Sequence, residues 1–136
     1  MWQWYALTAM ACFAAMQLVF KYLSARGVTT PAILVYVFGV ASVLYVIHVR
    51  AMRTAMPFHT SEIALLVAAA VLSYVGNLCS VRAMAAAPNP GYASAISGVH
   101  ALVVTVVSIF LFGLAVSWTK LTGVVLCVLG IALLLA

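Results

Sequence analysis

The chain has 136 residues, of which 68% are hydrophobic and only 5% charged, with a net charge of +5 and a mean hydropathy of +1.30. A soluble domain carries about a quarter charged residues, so this composition excludes a soluble enzyme and describes an all-α integral membrane protein with no room for a separate lobe. The basic residues stand singly between apolar runs, which suits membrane lipid headgroups and excludes nucleic acid, whose binding needs a clustered basic face.

Five apolar runs are long enough to be transmembrane helices, because backbone polar groups in lipid must be satisfied within the segment. The first covers about residues 3–24. Trp2, Trp4 and Tyr5 form an interfacial belt at its start. Lys21 follows the run instead of preceding it, so the segment reads as a retained span and not a signal peptide. Met10, Ala14, Gln17 and Lys21 share one helix face, pairing an amide with a cation.

The second span, about residues 31–49, is capped and opened by Thr30-Pro31 and closes at His48, Arg50 and Arg53. A polar connector leads to Thr60-Ser61-Glu62, which opens the third span, residues 62–86. Glu62 is the only acid; in a first turn it complements the helix dipole and supports a cap at Thr60 or Ser61. Ser73, Asn77, Ser80 and Met84 share one face of this span. Arg82 lies about 140° round the helix from Asn77, so a straight helix cannot aim both into one cavity.

The stretch Ala87-Pro88-Asn89-Pro90-Gly91-Tyr92 organises the rest of the chain. Its prolines stop one helix, Asn89 offers a side-chain cap, and Pro90 occupies a tolerated first position of the next. The fourth span is expected as one helix over about residues 91–115. His100 then lies about 15 Å along it, near the middle of a hydrocarbon core about 30 Å thick. Ala93, Ser97, Ala101 and Thr105 form a small-residue stripe on this helix, marking it as tightly packed or cavity-lining. The fifth span, residues 119–136, follows Ser117-Trp118-Thr119-Lys120. Its stripe of Thr119, Gly123, Cys127 and Gly130 allows close backbone approach, read as a dimer interface at Gly123, Cys127 and Gly130 or as packing within one subunit.

Polar side chains inside spans are costly unless they face protein or water, which makes Gln17, Lys21, Asn77, Arg82, Ser97 and His100 the candidate substrate-binding residues. Each has a structural alternative. Gln17 and Asn77 can join helices, Lys21 and Arg82 can snorkel to headgroups, and His100 can pack with a hydrogen bond. Cys12, Cys79 and Cys127 fall in separate spans without paired spacing, so no metal site, disulfide or cofactor is expected. No acid pair or nucleophile with a base is present, so an enzyme is not expected.

From Cys79 to Leu135 the sequence resembles the EamA-like half of the drug/metabolite transporter superfamily. The matching residues are Ala83-Met84, Pro88 and Pro90, Ala93-Ser94-Ala95-Ile96, Phe112-Gly113, Gly123 and Gly130-Ile131. Two positions depart from it: many members carry Glu-Pro where this chain has His100-Ala101, and a glutamate where it has Leu114. The resemblance implies a single domain over residues 1–136 forming one half of an inverted-repeat transporter fold. It also implies transport of a small-molecule substrate by alternating access.

Small multidrug exporters, similar in size, rely on a buried glutamate in the first helix. This chain has no acid there, so a neutral, zwitterionic or anionic metabolite is easier to accommodate than a permanent cation. The expected form is a homodimer, parallel or antiparallel, multi-pass in a cell (inner) membrane. The competing reading is a non-transporting scaffold or a subunit of a larger transporter.

Charge leaves the orientation balanced. With the N-terminus inside, Arg50, Arg53 and Lys120 face the cytoplasm and Lys21, Arg26 and Arg82 face outward, a tie that permits insertion both ways round. Excluding Lys21 and Arg82 as intramembrane leaves a bias to N-inside and a fixed topology.

Overall fold

The computed structural model describes residues 2–56, 59–113 and 117–135. Six helices run through these residues: α1 (Trp2–Ala25), α2 (Thr30–Ala51), α3 (Thr60–Ala86), α4 (Pro90–Ser97), α5 (His100–Phe112) and α6 (Trp118–Leu135). Gln3–Ala25, Thr30–Ala51, Thr60–Ala86 and Pro90–Phe112 are each long and apolar enough to cross a membrane, and Leu121–Leu133 is a shorter apolar helix. The all-helical membrane class read from composition is the observed one. The expected span ends at Ala115 and Ala136 lie outside the described residues, as do Leu114 and the side chains of Trp2 and Lys120.

Each boundary has a local cause. α1 closes on Gly27 at φ 82°, with the Val28 N–H bonded to the Leu23 carbonyl at 3.1 Å and the Gly27 N–H to the Ser24 carbonyl at 3.0 Å. This left-handed stop satisfies carbonyls that the last turn leaves open, and glycine takes it without steric cost. α2 closes by the same pattern, with Thr54 N–H on Val49 O at 3.1 Å and Arg53 N–H on Arg50 O at 3.2 Å. Here the left-handed position is held by Arg53, at φ 49°. Beside the first stop, the Arg26 guanidinium lies over the Tyr22 ring, 4.7 Å from its centroid.

Two helix starts fall one residue or more before the expected ones. The cap of α2 is Thr29, with no side-chain cap bond, and Pro31 sits in the first turn. At α3, Glu62 Oε2 accepts from the His59 N–H at 3.0 Å. A carboxylate at the third helical position reaches back to the amide of the capping residue, which makes His59 the cap in place of Thr60 or Ser61. The α4 start is as expected: Asn89 is the cap, with Pro90 next, and its Oδ1 accepts from Gly91 N–H at 2.8 Å.

The fourth span runs helically from Pro90 to Phe112, close to the single helix expected over residues 91–115, but its hydrogen bonding changes locally at Gly98-Val99. Between α4 and α5 the ladder tightens: Val99 N–H bonds to Ile96 O at 3.2 Å, Ala101 N–H to Gly98 O at 3.1 Å and Leu102 N–H to Val99 O at 2.9 Å. These are three-residue steps in place of four-residue ones. Gly98 at φ −59°, ψ −17° and Val99 at φ −57°, ψ −25° have the dihedrals of a 3₁₀ turn. The helix then ends at Phe112, capped by Gly113 at φ 59°.

The chain divides into two compact units, Met1–Ala86 and Ala87–Ala136. In the first, α1, α2 and α3 pack on one another. Among the described residues its buried side chains are Phe20, Ile33, Leu34, Val81 and Met84, all near the ends of α1 and α3 and the start of α2. The opposite ends are open: Trp4, Tyr45 and Leu65 are each more than 70% exposed. Apolar surface in this state costs little in lipid, whose tails are as apolar as leucine. In the second unit α4 and α5 each pack on α6.

Candidate functional site

The candidate residues fall into three settings. In the first unit, Gln17 and Lys21 are half-buried one turn apart on α1. Lys21 Nζ donates to the Ala85 carbonyl oxygen at 2.9 Å. The last four carbonyls of a helix have no partner within it and carry its negative dipole end, so an ammonium there both hydrogen-bonds and balances the field. The contact brings the C-terminal ends of α1 and α3 together, so these two helices run in the same direction.

Asn77 belongs to a different face of α3. It is half-buried, and its Nδ2 donates to Ser73 O at 2.8 Å and to Ser73 Oγ at 3.1 Å. Both lie on a cavity of about 390 Å³ between α2 and α3, walled by Leu34, Val35 and Phe38 on one side and Ser73, Tyr74 and Asn77 on the other. Arg82 is exposed on the same unbroken helix and does not line it. The angular separation read from sequence keeps the two apart.

Ser97 and His100 form the third setting, across the 3₁₀ turn. Because the Ala101 amide is given to Gly98, the Ser97 carbonyl loses its ordinary helical donor, and His100 Nδ1 takes the place at 2.7 Å. A carbonyl only accepts, so Nδ1 carries the proton and, in the neutral ring, Nε2 is left as the acceptor. His100 is exposed. The imidazole is thus anchored by one nitrogen and offers the other.

Several hydroxyls are turned back on their own helices. Ser97 Oγ donates to Ala93 O at 2.9 Å, Ser94 Oγ to Pro90 O at 3.0 Å, Thr105 Oγ1 to Ala101 O at 2.7 Å and Thr122 Oγ1 to Trp118 O at 2.9 Å. This is how a hydroxyl is satisfied in lipid. The Ser97 oxygen keeps acceptor capacity for a second group.

On α6, Gly123, Cys127 and Gly130 are exposed, and a Cβ added at Gly123 or Gly130 would meet nothing within 4 Å. Cys12 and Cys79 are also free and exposed.

Sequence reasoning passed over the α2 wall of the cavity. Leu34, Val35 and Phe38 look like any lipid-facing residues, and the only trace is the spacing of four between Ser73 and Asn77 on the opposite helix.

A family model described as the EamA-like transporter family matches residues 1–136. No curated protein and no solved structure matches the chain.

Proposed function

The chain belongs to the EamA-like transporter family, and from that premise we propose that it carries a small neutral, zwitterionic or anionic metabolite across a cell (inner) membrane by alternating access, as a pair of copies. One observation carries the reading: the fourth span tightens into a 3₁₀ turn at Gly98-Val99, about 12 Å from its start, and His100 stands at that turn with Nδ1 on the Ser97 carbonyl. A 3₁₀ stretch inside a helix often marks a functional hinge, and transporter sites near the bilayer midplane are commonly built where a spanning helix departs from regular α geometry. An imidazole is the side chain suited to exchanging a proton at such a place.

In this reading His100 Nε2 takes and returns the proton while Nδ1 keeps its hold on Ser97. Ser97 contributes an acceptor oxygen. Asn77 hydrogen-bonds a neutral part of the solute. Gln17 with Lys21, or Arg82, draws a carboxylate elsewhere on its path, since none of these three lines the Asn77 cavity. Pairing uses the open backbone of α6 at Gly123, Cys127 and Gly130. Two copies in opposite senses would recreate an inverted repeat.

The test is uptake into vesicles driven by a proton gradient, with candidate metabolites supplied as a mixture and identified by mass. The wild-type chain accumulates at least one, and His100→Ala loses the proton-linked part while inserting to the same level. Unchanged flux in His100→Ala removes the imidazole from the mechanism.

A further inference from the structure

The cavity between α2 and α3 has a composition that specifies its occupant more narrowly than the family does. We propose that it is a binding site for a small neutral solute with an apolar body and one group that both donates and accepts a hydrogen bond, such as a primary amide. The volume, about 390 Å³, is within the range of sites that hold small molecules. Among the described residues no charged side chain lines it, so a bare carboxylate or ammonium would enter without a counter-charge and lose its hydration.

The polar edge is already sorted into one donor and one acceptor. Asn77 Nδ2 donates to Ser73, whose carbonyl oxygen lies at 2.8 Å and whose Oγ lies at 3.1 Å. Ser73 Oγ therefore accepts from Asn77 and keeps its own hydrogen to give, while Asn77 Oδ1 keeps its lone pairs. The two side chains stand one turn apart on the same face. A solute amide can accept from the first and donate to the second. Phe38 and Tyr74 give the apolar body aromatic walls from opposite helices.

The site rests on the transporter reading only in taking Asn77 to face solute, and its test measures binding without flux. Loss of uptake with binding intact would count against transport and leave the site standing.

The probe is radiolabelled benzamide, dialysed to equilibrium against the full chain in phosphatidylcholine nanodiscs, with empty nanodiscs subtracted. The expected result is saturable binding, roughly three- to tenfold weaker in Ser73→Ala and in Asn77→Leu and lost when Val35→Trp fills the cavity. Benzoate, benzylammonium and ethylbenzene should compete poorly. Thermal unfolding of each variant shows that it is folded, and the small change in Ser73→Ala keeps the test sound if Asn77→Leu is unstable. Three results overturn the proposal: no saturable binding; equal competition by ethylbenzene with no effect of either polar substitution; or binding in detergent that vanishes in nanodiscs, which would give the cavity to a lipid tail.

Discussion

At the scale of single residues, the polar side chains of this chain are mostly occupied with its own backbone. Lys21 holds a carbonyl at the end of α3, and the hydroxyls of Ser94, Ser97, Thr105 and Thr122 hold carbonyls one turn back. Replacing Lys21 by methionine keeps the stem and removes the charged donor. It should lower stability by about 1 kcal/mol, read as earlier thermal unfolding in micelles. Arg53 presents the opposite case, since a side chain at φ 49° is strained where glycine is not. Arg53→Gly should raise stability by about 1 kcal/mol, seen as later unfolding under the same conditions. What was legible at this scale is what sequence neighbours decide. Asn89 between two prolines had one way to cap, and it does so. The partner of Lys21 was not legible, because Ala85 lies on another helix and offers only a backbone atom.

Among the elements, the fourth span departs most from its sequence pattern. The Pro88-Asn89-Pro90 break announces its start, but a glycine inside an apolar run is compatible with a continuous helix, and nothing local says that Gly98 begins a tighter turn. The turn depends on geometry that only the folded chain has: the Ser97 carbonyl can leave the ladder because His100 Nδ1 reaches it at 2.7 Å. Gly98 also fits for want of a side chain, since a Cβ there would lie 3.0 Å from the Ala95 oxygen. If the imidazole sustains the turn, His100→Ala should let the segment open locally. Amides 98–102 should then exchange with deuterium roughly fivefold faster, for the loss of about one hydrogen bond, while α6 is unaffected. Equal exchange in the two proteins would show that the turn holds without the ring.

For the whole molecule, the family accounts for an arrangement that would be untenable in water. Large apolar side chains along α2, α3 and α5 are exposed, Phe110 at 84% among them, and among the described residues no position on α6 is buried. Composition made the lipid-facing part of this legible. It could not divide that surface between lipid and a second copy, because both are apolar and small-residue spacing serves either. Charge offers a sharper handle. Lys/Arg counts on the two sides set orientation. Leaving out Lys21 and Arg82 as intramembrane fixes the N-terminus inside, whereas counted in full they stand at three on each side, which under the paired reading proposed above lets the chain insert both ways. Reporters fused to the C-terminus, one active only inside and one only outside, should then both give signal. A single added charge in the connector after α2, Thr54→Lys, makes the count four against three in favour of an inside N-terminus. That variant should signal from the outside alone. If inverted pairing completes the transporter, it should also lose most of its uptake when expressed by itself and recover it beside the wild-type chain. A wild-type chain that signals from one side only would end the inverted pair and leave the parallel one.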